Sequence, residues 1–150
     1  MDSRKGLSLI EIIVAITIIT IVSVGIYVVS NPGGQLAAAR NARRSADLQT
    51  LLIAIRENVA DQANGQFGCA AGTLPPTPTD MGSASGSYNI APCLVPSYLP
   101  VLPVDPNATS AHYLSVSDYD TGYDIMMNAS GTITLSAPYA ELGKTVTLSR

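Results

Sequence analysis

Two hydrophobic patterns divide the chain. Residues 7–29 are almost uninterruptedly apolar, and Glu11 is the only charge among them. A helix of that length reaches roughly 35 Å at about 1.5 Å per residue, enough to cross a bilayer core of about 30 Å. A helix that is apolar all round needs an apolar surrounding. Asn31-Pro32-Gly33-Gly34 then interrupts the run. Proline lacks a backbone donor and clashes with the preceding turn, and glycine lowers helix propensity. Over residues 36–63 the pattern changes. Leu48, Leu51, Leu52, Ile55 and Val59 recur at three- and four-residue spacing, which predicts an amphipathic helix with one apolar stripe. Arg40, Arg43, Arg44, Asp47, Arg56 and Glu57 fill its polar positions.

Residues 64–106 are dominated by Gly, Pro, Ser and Thr. The stretch Thr73-Leu74-Pro75-Pro76-Thr77-Pro78 excludes a regular helix or a central strand. A loop this long is usually functional or pinned. Four β-like stretches follow, at 112–116, 123–127, 132–136 and 145–148. Gly122 precedes the second, and Ser130-Gly131 separates the second from the third. Val, Ile, Tyr and Thr between glycine-bounded turns read as an antiparallel meander. Its apolar face would cover the helix stripe. The expected fold class is α+β: a long N-terminal helix with an apolar half and an amphipathic half, the latter packed on a small antiparallel sheet.

Charge assigns the compartments. Arg4 and Lys5 precede the apolar run, so the positive-inside rule keeps the leader cytoplasmic and exports everything after residue 29. A secretory signal peptide has an apolar core of about 7–15 residues, shorter than this run. The chain carries 8 Lys+Arg against 11 Asp+Glu, a net charge of −3. That balance argues against a dedicated nucleic-acid binder, which shows a basic surplus. Cys69 and Cys93 are the only cysteines. In an exported chain they most simply form one disulfide, with a pair of buried free thiols as the alternative. Closing a loop of about 25 residues would contribute roughly 3 kcal/mol in the chain-entropy model.

The N-terminus also carries a resemblance. Arg4-Lys5-Gly6, then Leu7-Ser8-Leu9-Ile10-Glu11 and a long apolar helix, resembles the class III signal of type IV pilins, which pseudopilins of type II secretion share. The resemblance implies the pilin fold. It implies cleavage after Gly6 by a prepilin peptidase and N-methylation of Leu7, where the family usually has Phe. It makes Glu11 the family's glutamate at mature position five. The chain would divide into a leader (1–6), a transmembrane and filament-core helix (7–30) and a globular head (31–150). The head would comprise a helix (36–63), a loop (64–106) and a sheet (110–148). Tyr98-Leu99-Pro100-Val101-Leu102-Pro103-Val104-Asp105-Pro106 is similar to a Leu-Pro-x-Asp-Pro stretch before the sheet in pseudopilins and Gram-positive pilins. Gly122-Tyr123-Asp124-Ile125 is similar to the strand that follows. The cysteines lie in the helix-to-sheet loop, unlike the C-terminal loop pair of many adhesive pilins.

The function implied is structural. The first reading is a major pilin that polymerises into an extracellular type IV pilus for adhesion, motility or DNA uptake. The second is a major pseudopilin. Partners would be further copies of the chain, minor pilins, the prepilin peptidase, the inner-membrane assembly platform and, before assembly, the membrane. Pro32, Gly33 and Gly34, with Gly25, would let the helix bend or unwind. Glu11 would register subunits. Within a bilayer a charge costs about 2.5–3.5 kcal/mol at mid-depth, and less near an interface to which it can snorkel.

Other residues give weaker signals. Arg40, Arg43 and Arg44 share a helix face that would either meet DNA phosphates or pair with acids such as Asp47. Asp118, Asp120 and Asp124 offer oxygens suited to calcium, which some pseudopilins bind, although a calcium site takes about six to eight ligands. No other cofactor is expected. His112 is the only histidine, and no Ser-His-Asp set or metal-spaced His/Cys cluster is evident. A membrane-anchored enzyme is the reading from another class. Tyr88, Tyr98, Tyr113, Tyr119, Tyr123 and Tyr139 read as core edges and surface contacts. Ser8 and Thr17 read as small polar groups bonding back to the helix. Asn107-Ala108-Thr109 and Asn128-Ala129-Ser130 match glycosylation acceptor patterns.

Overall fold

The computed structural model describes residues 8–150, without the side chains of residues 27–30. The expected leader, with Gly6 and Leu7, lies outside the described residues. The chain forms two compact units, divided between Leu36 and Ala37.

The first unit is built on α1 (Leu9–Ser30). Ser8 stands at its N-cap in extended conformation, and its carbonyl accepts the Glu11 and Ile12 N–H groups at 3.0 and 3.2 Å. Helix α2 (Pro32–Asp61) follows after one residue. The interruption therefore falls at Asn31, and Pro32, Gly33 and Gly34 form the first turn of α2. The local chemistry explains this shift. A residue before proline is driven out of the right-handed helical region, and asparagine tolerates the left-handed one, where Asn31 sits at φ 35° and ψ 66°. Pro32 is harmless at a first helical position, whose N–H would have no partner. Asn31 caps the new helix: its Oδ1 accepts the Gly34 N–H at 3.3 Å and its carbonyl accepts the Gln35 N–H at 3.2 Å. A Cβ on Gly34 would lie 2.8 Å from Asn31 Nδ2, so a side chain there would push the capping carboxamide aside.

The second unit packs α2 on a five-stranded antiparallel sheet. Its strands are β1 (Thr79–Gly82), β2 (His112–Ser115), β3 (Asp118–Met127), β4 (Ile133–Ala137) and β5 (Val146–Ser149). β3 is the hub. β1 lies along one edge of it, while β2 and β4 take successive stretches of the other. β5 closes the far side against β4. Leu48, Leu51, Leu52 and Ile55 from α2 meet Tyr119, Tyr123, Ile125 and Leu135 from the sheet in one buried cluster. Val59, the last residue of the expected stripe, is only half-buried.

Three spans differ from expectation. Residues 64–106 are not all loop: they contain β1 and a one-turn helix, α3 (Ala91–Leu94). β3 begins at Asp118 because Gly122 lies inside the strand rather than before it. Between the pairs Asp80–Asp124 and Gly82–Asp120 the register slips, giving a bulge around Gly122. Gly122 takes φ +70°, and a Cβ there would lie 3.0 Å from the Asp105 Cβ and 3.1 Å from the Ala108 Cβ. Positive φ and this close approach both require glycine. Finally, the sheet begins at Thr79 instead of near residue 110.

Candidate functional site

Two regions carry chemistry, one in each unit. The first is the surface of α1. Its described Leu, Ile and Val side chains from Leu9 to Ile26 are all exposed, from 46% at Ile13 to 78% at Leu9. Burying one such side chain is worth about 1.5–3 kcal/mol. The helix is long and apolar enough to cross a membrane. The hydroxyls of Thr17, Thr20 and Ser23 donate to the carbonyls of Ile13, Ile16 and Ile19, each at 2.7 Å. Their polarity is thus satisfied within the helix, as an apolar surrounding demands. Glu11 is exposed in the first turn, where the helix dipole favours a carboxylate.

The second region is a charge cluster inside the head. Of the three arginines expected to share a face, Arg40 and Arg44 meet on Glu141, and Arg43 stands apart. Arg44 is fully buried, and its guanidinium donates to both Asp105 oxygens at 2.7 and 2.9 Å. It also donates to Asn41 Oδ1 and to Glu141 at 2.9 and 3.0 Å. Arg40 grips Glu141 through two hydrogen bonds at 2.6 and 2.7 Å. Only Arg43 is exposed, with Asp47 at 3.8 Å. Asn41 Nδ2 donates to the Glu141 carbonyl, and Asn41 Oδ1 accepts the Glu141 N–H. The cluster ties α2 to the Leu-Pro-x-Asp-Pro stretch and to the β4–β5 connection.

Electrostatics follow from this geometry. Burial alone would raise the Asp105 carboxyl. The Arg44 guanidinium and the N–H groups of Asn107 and Ala108 outweigh that and hold it below the usual carboxylate range. The hydrogen bonds from Arg40 and then Arg44 lower Glu141 to about 2. Arg44 is raised, chiefly by Asp105. Asp47 is pushed up by burial, against the opposing hydrogen bond from the Tyr123 hydroxyl at 2.8 Å. No buried side-chain polar atom among the described residues lacks a hydrogen-bond partner.

Cys69 and Cys93 form a disulfide with Cα atoms 5.2 Å apart. Asn58, buried on α2, braces it. Its Nδ2 donates to the carbonyls of Gly68 and Cys93, both at 3.1 Å, and its Oδ1 accepts the Gly68 N–H at 2.8 Å. Sequence reasoning missed Asn41, Asn58, Asp105 and Glu141. A signal for part of this was present. Asn41, Arg44, Leu48, Leu51, Ile55 and Asn58 follow the same three- and four-residue spacing, so the polar residues cap both ends of the apolar stripe.

Asp118, Asp120 and Asp124 all lie on β3 but engage different groups. Asp118 meets His112 Nε2 at 3.1 Å, Asp120 accepts the Gly122 N–H at 2.8 Å, and Asp124 stands opposite Asp80. Burial raises Asp80, and Asp120 and Asp124 add to the effect. Among the described residues no three His, Cys, Asp or Glu side chains are grouped to hold a metal ion. His112, at the exposed start of β2, is held by the Ser110 carbonyl at 2.6 Å. Tyr88, Tyr119 and Tyr123 are buried, whereas Tyr139 is exposed. The Tyr119 hydroxyl donates to Asn89 Oδ1 at 2.9 Å and accepts the Ala91 N–H at 3.0 Å.

Residues 1–27 match the family described as the prokaryotic N-terminal methylation motif. That match coincides with the class III signal of type IV pilins and pseudopilins. No curated protein and no solved structure matches the chain. The motif and the α+β fold support a pilin-type structural protein, either a type IV pilin or a pseudopilin. The motif and the apolar α1 fit a membrane-anchored precursor processed by a prepilin peptidase.

Proposed function

We propose that the chain is the precursor of a major pilin, cut after Gly6, methylated on Leu7 and polymerised through α1 into an extracellular type IV pilus. The observation that carries this reading is the exposed apolar surface of α1 behind an N-terminal methylation motif. Lipid covers that surface in the precursor. Other copies of α1 cover it in the filament. Head-to-tail contacts that do not close on themselves generate a helical polymer.

Glu11 supplies the register. Cleavage creates an α-amino group on Leu7, cationic with a pKa near 8, and methylation keeps the charge. Leu7 and Glu11 are four residues apart, one turn of helix. In a bundle of apolar helices an unpaired charge costs several kcal/mol, so a neighbour that supplies the amine favours one axial position. The Cys69–Cys93 disulfide agrees with export of the head along this route. The test is electron microscopy of surface filaments purified from the producing cells, with mass spectrometry of their N-terminus. The expected result is N-methylated Leu7 in the filament subunit. Filaments lacking this chain, or a subunit beginning elsewhere, would overturn the reading.

A second reading is a major pseudopilin. The resemblance of the Leu102-Pro103-Val104-Asp105-Pro106 stretch to the pseudopilin Leu-Pro-x-Asp-Pro favours it. The two part on deletion of the chain: a pilin predicts loss of surface filaments with protein export intact, a pseudopilin the reverse.

A further inference from the structure

The proposed function leaves the two acceptor patterns unused, and the structure distinguishes them. Asn107 and Asn128 are both exposed. Asn128 begins the β3–β4 turn, and its Oδ1 accepts three hydrogen bonds: from the Ser130 N–H at 3.1 Å, the Ser130 hydroxyl at 2.7 Å and the Thr132 N–H at 2.9 Å. Three donors on the oxygen polarise the carboxamide and leave its two N–H donors to solvent. The hydroxyl of the pattern's third residue, Ser130, thus already touches the acceptor asparagine. At Asn107 only the backbone is engaged, its N–H donating to Asp105 Oδ1 at 2.8 Å, and Thr109 makes no such contact. Asn128 also lines an open groove of about 640 Å³, walled by Phe67, Leu74, Met127 and Ile133, with Thr73 at its rim. A saccharide carried by Asn128 has this groove beside its attachment point.

From this geometry we infer that Asn128 is an N-glycosylation acceptor, that the Ser130 hydroxyl positions its carboxamide, and that Asn107 is not modified. Asparagine in an Asn-x-Ser/Thr pattern takes a sugar on exported surface loops. The co-reactant is a sugar linked to a lipid diphosphate. Nδ2 of Asn128 bonds to the anomeric carbon, and the anomeric C–O bond breaks. The lipid diphosphate leaves with the electron pair, and one Nδ2 proton is released.

The experiment is mass spectrometry of peptides from the full chain, isolated from the cells that naturally produce it, with sugar fragment ions as the readout. The wild type is expected to carry a glycan on the Asn128 peptide and none on the Asn107 peptide. Asn128→Asp keeps an Oδ1 acceptor for the turn but removes the amide nitrogen, so it loses the glycan with thermal stability retained. Ser130→Ala loses the modification and Ser130→Thr keeps it. An unmodified Asn128, or a glycan on Asn107 instead, would overturn the inference. Full modification of Ser130→Ala would overturn the positioning role. The same digest reports the Cys69–Cys93 bond: a bare Asn128 with an intact disulfide contradicts the acceptor alone, whereas a bare Asn128 with free thiols contradicts export of the head as well.

Discussion

The two units invert each other's polarity. In α1 the apolar side chains face outward and the hydroxyls turn back onto the backbone. In the head the apolar side chains are buried, and an arginine with its carboxylate is buried beside them. The difference teaches that the head buries its apolar side chains against itself, whereas those of α1 stay exposed, which the proposed function assigns to lipid and then to other copies. One unit is a folded object and the other an unfinished interface. The same residue type therefore behaves differently in each. On the proposed reading Glu11 pairs with an amine that processing creates, whereas Asp105 has both oxygens engaged by its own chain.

Variants can break this contrast from the head's side first. Asp105→Ala leaves Arg44 buried without its main partner and should cost about 3–5 kcal/mol. Chemical denaturation of the full chain in detergent measures it. The double replacement Arg44→Met with Asp105→Leu should recover most of the loss, because an apolar pair of similar volume is often neutral in place of a buried ion pair. Replacing Cys69 and Cys93 by Ser should cost about 3 kcal/mol. Reduction of the wild type should lower its melting temperature similarly, while the replaced chain should not respond to reductant.

A smaller effect is confined to acid. Glu141 is held at about 2 in the folded head, below its unfolded value of about 4.3. Its contribution is present above the unfolded value and is lost as pH falls through that range toward about 2. Asp105 is also lowered and has the same sign. Asp47, Asp80 and Asp124 are raised mainly by burial and have the opposite sign: each contributes stability at low pH that is lost as pH rises through its folded value. Glu141→Gln isolates one component. Its stability deficit should be constant at neutral pH and shrink between about pH 4 and pH 2, as thermal melts across that range would reveal. Smallest of all, Arg43→Ala should change stability by no more than about 0.5 kcal/mol, since Arg43 is exposed and stands 3.8 Å from Asp47. A large loss there would mean that the surface of α2 matters more than the buried cluster.

Much of this was legible in the sequence, and the exceptions are physical. Periodicity found α1, the α2 stripe and four of the strands because each buries or exposes one consistent face. It missed β1, Thr79-Asp80-Met81-Gly82, whose composition carries no strand signal. That strand exists because β3 offers a free edge, a tertiary cause that local propensity does not record. Arg44 reads as surface and Asp105 escapes notice because a charge gives no sign of burial until its partner is known, and these partners are far apart in sequence. Asn31 took the break that Pro32 was expected to take, because proline restrains the residue before it. The processing role expected of Gly6 and Leu7 rests on resemblance alone, as no periodic pattern marks a cleavage site.

In the proposed assembly Glu11 is the registering half of an ion pair that α1 makes with another copy. The direct measurement is filament yield by electron microscopy for Glu11→Ala in the producing cell, alongside mass spectrometry of the N-terminus. The account predicts a chain that is inserted, cut after Gly6 and methylated on Leu7, yet forms few or no filaments. Normal filaments from that variant would contradict it.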